Sequence, residues 1–233
     1  MYAAEAEGLS VLRAAGVRAP EPFAHGAKGG EAYLEMERLA LGAAPDWPAA
    51  GRMLAALHRN TAPRFGWEKD NWIGLSPQKN GWREDWSSFF LDFRLRPQLE
   101  MARRNGYRIE IGAICDLLQG HAPRPSLLHG DLWGGNVGFT AEGPVIYDPA
   151  VYFGDREADM AMSELFGGFP PPFYRAYNAE WPLDRGYAAR KHLYNLYHLL
   201  NHLNIFGGAY LDRVVRTIGI LERKVRSRLE GTC

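Results

Sequence analysis

The sequence predicts an α+β fold in which a small mixed N-terminal piece precedes a mostly helical body. Three observations lead there. Residues 17–39, "VRAPEPFAHGAKGGEAYLEMERL", alternate short extended runs with Pro20, Pro22 and the Gly29–Gly30 pair, the punctuation of a β-hairpin. From Trp47 onward most segments carry apolar residues at helical spacing, as with Leu193, Leu196, Tyr197, Leu200 and Leu203. Between them lies "LLHGDLWGGNVGF", residues 127–139, a glycine-rich polar loop set between two apolar runs.

The elements follow in order. Residues 3–15 form a helix with Ala6, Leu9 and Leu12 on one face, stopped at Gly16. The hairpin comes next, its second run being Ala32–Met36, and Met36 to Leu39 lead into a polar connector. Residues 47–60 form a helix with Met53, Leu54 and Leu57 as its stripe. The stretch "FGWEKDNWIGLSPQKNGW" is too rich in Gly, Pro and Asn for regular structure. "DWSSFFLDFRLRPQLEMARRNG" is a helix interrupted at Pro97, and "YRIEIGAICDLLQG" a further helix. Short strands at 126–128, 137–140 and 145–147 flank the polar loop. The remainder is helical, closing on an amphipathic, basic-faced helix through "YLDRVVRTIGILERKVRSRLE". The division is 1–40 for the mixed piece and 41–233 for the helical body.

Bulk properties restrict the function. The 233 residues suffice for a sizeable core. Lys+Arg and Asp+Glu balance at 27 each, so no global field favours nucleic acid or an anionic membrane. Two cysteines, Cys115 and Cys233, give no disulfide framework and no zinc spacing. No signal peptide and no run of about 20 apolar residues is present. The expectation is a cytoplasmic protein without membrane or nucleic-acid partners.

The loop concentrates the chemistry. Asp131, Asn136 and Asp148 each stand at the edge of an apolar run, and Gly130, Gly134 and Gly135 let the backbone bend tightly. One carboxylate can accept a hydroxyl proton while two oxygen donors hold Mg²⁺, which prefers few protein carboxylates and the substrate's phosphates. An Asp and an Asn in a glycine-rich turn are also ordinary turn formers. The spacing His-Gly-Asp, four residues, Asn, then an Asp twelve positions on, matches the catalytic-loop logic of kinases. His198 and His202, four apart on one helix face, lack the glutamate of a zinc motif and suit a polar patch touching substrate or neighbouring helices.

"HGDLWGGN", "YDPAVYFGDREADMAMSELFGGFP" and "LYNLYHLLNHLNIFGGAY" resemble the fructosamine kinase (ketosamine-3-kinase) family, relatives of aminoglycoside phosphotransferases. The likeness runs from about Glu5 to Tyr210. It implies a protein-kinase-like two-lobe fold and phosphorylation, with ATP and Mg²⁺, of the 3-hydroxyl of a ketosamine, a sugar adduct on an amine. In that resemblance Asp131 is the catalytic base, and Asn136 and Asp148 are the Mg²⁺ ligands. Trp133 floors the sugar, and His202 belongs to the substrate side. Asp159 braces the loop from a helix. Glu5, with Glu7 as the alternative, matches the glutamate that pairs with the ATP-binding lysine, and the connector around Glu37 and Leu39 meets adenine through its backbone. The family pattern also has a glycine-rich hairpin and a lysine strand ahead of this helix. Neither precedes Glu5 here, and Lys28 is a poor substitute. A shortened N-lobe is therefore expected, and three explanations stand in order: a shortened gene start, a partner chain that covers the gap, and a true loss of catalysis. A lidless pseudokinase-like binding module and a kinase for another small alcohol, such as an aminoglycoside, remain alternatives.

Overall fold

The structure is a computed structural model; it describes the backbone of residues 1–230 and the side-chain surroundings of residues 1–228. Cys233 lies outside the described residues. Helix α1 (Tyr2–Ala14) buries Ala6, Leu9 and Leu12 and ends before Gly16, whose φ is +81°. Strands β1 (Pro22–Lys28) and β2 (Glu31–Met36) pair antiparallel around Gly29–Gly30. The chain then runs along the later loop region, where Gly42 N–H and Ala43 N–H both donate to Phe139 O.

Helix α2 (Trp47–His58) opens on Asp46, whose carboxylate accepts from Ala49 N at 2.9 Å, an N-cap reinforced by Pro48 in the first turn. Its Gly51 faces α6 (Pro171–Glu180) so closely that an added Cβ would lie 2.4 Å from Phe173 O. Helix propensity alone favours Gly51→Ala by about 1 kcal/mol. Overpacking against backbone costs about 1–3 kcal/mol, and a carbonyl cannot retreat without moving α6. Gly51→Ala is thus expected to cost a net of up to about 2 kcal/mol and to lower Tm by up to about 8 °C in calorimetry, despite its better helix former.

Three segments depart from the sequence reading. The stretch expected to be irregular contains a small antiparallel hairpin, β3 (Asn71–Ile73) with β4 (Ser76–Gln78), turning at Gly74 with φ +56°. Its order comes from long-range polar contacts: Asn71 Nδ2 donates to Val151 O, and Gln78 Nε2 to Ala150 O. The helix expected over "YRIEIGAICDLLQG" is only a 3₁₀ turn, Ile114–Leu118. Gly112 takes φ +48° just ahead of it, while Ile109 and Ile111 pack on the core from irregular chain. Near Pro97, α3 (Trp86–Phe90) and α4 (Arg96–Arg104) are joined by a wide π-turn, Leu91–Leu95. Proline has no N–H for the carbonyl four residues back; that carbonyl, Phe93 O, accepts instead from Arg94 Nη1 at 2.9 Å.

The strands about the polar loop close on one another. Strand β5 (Ser126–Leu128) enters the loop; β6 (Val137–Thr140) and β7 (Gly143–Ile146) form a hairpin beyond it. An unanticipated strand, β8 (Tyr152–Gly154), returns to pair antiparallel with β5, Leu127 opposite Phe153. The chain leaves and re-enters the same two-stranded ladder, so residues 129–136 and 147–151 must lie side by side. Ala150 N donates to His129 O at 2.8 Å, one step beyond the ladder.

Helices α5 (Glu157–Leu165), α7 (Tyr187–Phe206) and α8 (Leu211–Glu230) complete the body. Two apolar cores flank the loop. One gathers Trp86, Phe89, Phe90 and the buried face of α7; the other packs Leu9 and Leu12 against Leu54, Leu57 and Met160. Among the described residues, no helix is long and apolar enough to cross a membrane.

Candidate active site

Aspartate 159, near the start of α5, organises the loop. It is buried, its Oδ2 accepts from His129 N at 2.7 Å and its Oδ1 from Gly130 N at 2.9 Å. His58 Nε2 on α2 approaches Oδ2 at 3.1 Å, and His58 Nδ1 lies 2.8 Å from the Tyr177 hydroxyl of α6. Burial raises the Asp159 pKa, yet the His58 hydrogen bond, the imidazoles of His58 and His129 and the Gly130 N–H outweigh it and hold the carboxyl below its ordinary value. The sequence expectation of a brace beneath the loop is met. Gly130 has φ +85°, and a Cβ there would meet Ala150 O at 2.0 Å; only glycine lets the two strands of loop approach this closely.

His129 is fully buried, and burial lowers its pKa, so the ring is neutral. Its Nε2 lies 3.0 Å from Tyr147 O, and its Nδ1 accepts from Asp131 N at 3.2 Å. These partners fix the tautomer with the proton on Nε2. The residue is therefore a tie between the two loop segments, as its structural reading expected.

Asp131, Asn136 and Asp148 come together. Asn136 Nδ2 donates to Asp131 O at 2.9 Å, and lies 3.5 Å from both Asp131 Oδ2 and Asp148 O. Asp131 and Asp148 line one cavity of about 260 Å³ with Glu5, Asn71, Trp72 and Leu75. Asp148 has φ +59°, the one non-glycine residue of positive φ among the described residues, and strain of that kind clusters where function requires it. Burial, then the charges of Asp148 and Asp159, push the Asp131 carboxyl up to about 7. Burial and Asp148 likewise raise Glu5. Such mutual repulsion between carboxylates is the electrostatic mark of a place that suits a cation.

The donor set fits Mg²⁺. The Asn136 amide is oriented by its donation to Asp131 O, and its Oδ1 accepts no hydrogen bond among the described residues. Asp148 is exposed to the cavity. A hard carboxamide oxygen without a donor, and a hard carboxylate oxygen that borders open space, match a cation that keeps water and phosphate oxygens as its other ligands.

The other expected residues divide. Glu5 faces the cavity, whereas Glu7 turns away, accepting from Trp67 Nε1 at 3.3 Å. The Glu37 carboxylate is occupied by Arg18, with Nη2 to Oε1 at 2.5 Å, and that hydrogen bond lowers its pKa to about 2. Glu37 N–H is spent on Glu21 O at 2.7 Å, while the backbone groups of Arg38 and Leu39 make no such bond among the described residues. Trp133 and His202 are joined through Phe166: ring centroids are 6.1 Å apart for Trp133–Phe166 and 4.6 Å for Phe166–His202. His202 Nδ1 is held at 2.9 Å from His198 O. Sequence reasoning missed Asn71, Trp72 and Leu75. The one available signal was the alternation of "NWIGLSPQ" about Gly74, short and rich in loop-forming residues.

This architecture is that of kinase-like small-molecule phosphotransferases. A thermostable mutant of the aminoglycoside phosphotransferase APH(4)-Ia shares the fold at TM-score 0.58 and 17% identity, over 95% of this chain and 82% of that one. A family profile described as fructosamine kinase matches residues 1–224, and the chain belongs to that family. A Synechocystis protein named "Probable ketoamine kinase" is 46% identical over 220 residues, spanning 90% of this chain and 75% of that protein. A Vibrio cholerae protein of the same name is 44% identical over 227 residues, spanning 93% and 79%. The crystal structure of a Haemophilus somnus protein with a fructosamine-3-kinase designation superposes at TM-score 0.90 and 31% identity, covering 95% of this chain and 79% of that one.

Proposed function

We propose that this phosphotransferase moves the γ-phosphoryl group of ATP to the 3-hydroxyl of ketosamines, with Mg²⁺ as the cation. The observation that supports this most is the meeting of Asp131 and Asp148 in one cavity with Asn136 bonded to Asp131 beside them, in a chain of the fructosamine kinase family. In this reading Asp131 is the base. It accepts the hydroxyl proton and holds the acceptor oxygen in line with the phosphorus. Asn136 Oδ1 and the Asp148 carboxylate hold Mg²⁺, which when bound neutralises phosphate charge. Residues 1–40 form the nucleotide side of the cleft. The Glu37 carbonyl and Leu39 N–H meet adenine there, and Glu5 orders the phosphate end. The Trp133–Phe166–His202 row receives the sugar, aromatic faces packing on ring C–H groups.

Phosphorus NMR of ATP with ribulose-lysine or fructose-lysine tests the reading. A new phosphomonoester signal, coupled to the proton on C3 and dependent on Mg²⁺, is the expected result. Turnover confined to an aminoglycoside or choline-like alcohol from a parallel panel would overturn the substrate assignment, and nucleotide failing to bind at millimolar ATP would overturn the enzyme.

A further inference from the structure

His198 on α7 is buried, and its Nδ1 is one of three buried side-chain polar atoms with no hydrogen-bond partner among the described residues. Such an atom requires a physical reason. The group facing it is the Asp131 carboxylate, with Oδ1 at 3.8 Å. The ring is neutral, because burial and then the neighbouring His202 push its pKa down to about 3. One ring nitrogen therefore carries the proton and the other a lone pair. Above about pH 7, where the Asp131 carboxyl is ionised as a base must be, a lone pair on Nδ1 would confront a carboxylate oxygen with no donor between them. A proton on Nδ1 points instead at the acceptor in front of it. The separation exceeds a hydrogen bond by about 0.6 Å or more, a gap that a small rotation of the Asp131 side chain closes. The His198 main chain is fixed meanwhile: it lies mid-helix, and its carbonyl accepts from His202 Nδ1.

We propose that His198 is a positioning residue for Asp131, donating Nδ1–H to Oδ1 and so fixing the carboxylate plane with its other oxygen toward the acceptor hydroxyl. The proposal rests on the reading of Asp131 as the base. Asn136 Nδ2 already reaches toward the other oxygen, Oδ2, at 3.5 Å, so the two donors meet the two carboxylate oxygens from two elements, the loop and α7. Without His198 the carboxylate has no donor on the helix side and is free to turn. Misorientation of a base acts on turnover rather than on nucleotide binding.

The test compares two substitutions. In His198→Asn the amide nitrogen stands where Nδ1 stands; in His198→Leu the donor is lost at similar volume. Loss of a hydrogen bond to a charged group corresponds to about 10–100-fold in kcat. His198→Leu is expected to show that loss with KM for ATP within about threefold, and His198→Asn to recover most of it. Equal turnover in His198→Leu and the native chain, or equal impairment of both variants, overturns the proposal. Nitrogen-15 NMR of the native protein is independent of how the variants fold. A proton-bearing Nδ1 that shifts in Asp131→Asn is expected, and an unprotonated Nδ1 overturns the assignment. Asp131→Asn is assayed in parallel. If it stays active, the base reading fails; if it is inactive while His198→Leu is not, only the role of His198 fails.

Discussion

Asp131→Asn is expected to lower kcat by about 10²–10⁴-fold, the usual contribution of a positioned general base, with little change in nucleotide affinity. The amide keeps the shape and the bond from Asn136 but takes no proton. A stability gain accompanies the loss. In the folded chain the Asp131 carboxyl holds its proton to about pH 7, through burial and then the charges of Asp148 and Asp159. In the unfolded chain it releases it near pH 4. A raised carboxyl pKa means that the native state binds the proton more tightly, so native stability falls as pH rises from about 4 to about 7. The asparagine variant lacks that slope. Its Tm is expected to exceed the native value at pH 8 and to match it at pH 4. Turnover measured by coupled ADP release, with Tm read across that range, checks both parts. A variant with native turnover removes Asp131 from the chemistry.

Asp159→Ala is expected to be the most destabilising change at the site. It leaves two loop N–H groups and His58 Nε2 without their acceptor in a buried setting. Breaking such a network costs about 3–5 kcal/mol, or a Tm lower by about 6–20 °C. The loop that carries Asp131 also loses its support, and a displacement near 1 Å costs on the order of a hundredfold in rate. Because the Asp159 pKa is depressed in the folded chain, its stabilisation is fully present above the unfolded carboxyl value near 4 and is lost as pH falls through the folded value. Thermal unfolding from pH 3 to pH 7 should therefore show an acid slope in the native chain that is weaker in the variant. Unchanged Tm at neutral pH would remove Asp159 from the loop's support.

Much of the site was legible because its signals are local. Asp131 and Asn136 sit in one loop at a fixed spacing, and glycine is demanded at 130 by a positive φ and an adjoining carbonyl. The helices with clean apolar stripes, α1, α2 and α7, were legible for the same reason. What was not legible depended on distant partners. The β3–β4 hairpin is held by Asn71 and Gln78 bonding to the chain around Ala150, more than seventy residues away. Strand β8 exists because β5 offers it a ladder. The helix expected near Ile109 gave way because packing its isoleucines on the core from irregular chain outweighed a weak local preference. His198 looked like half of a histidine pair with His202; their rings serve different neighbours, one facing Asp131 and the other packing on Phe166.

The order of residues alone determined the α+β class, the principal helices and the identity of the loop carrying Asp131, since periodicity and turn chemistry are properties of neighbours in the chain. Only the tertiary structure decided that Asp148, Glu5 and the tip of the 71–78 hairpin share one cavity with that loop, and that α7 turns His198 toward its carboxylate. Those meetings depend on strand closure and on burial between two cores, and both come from contacts between residues far apart in sequence, which no local pattern encodes.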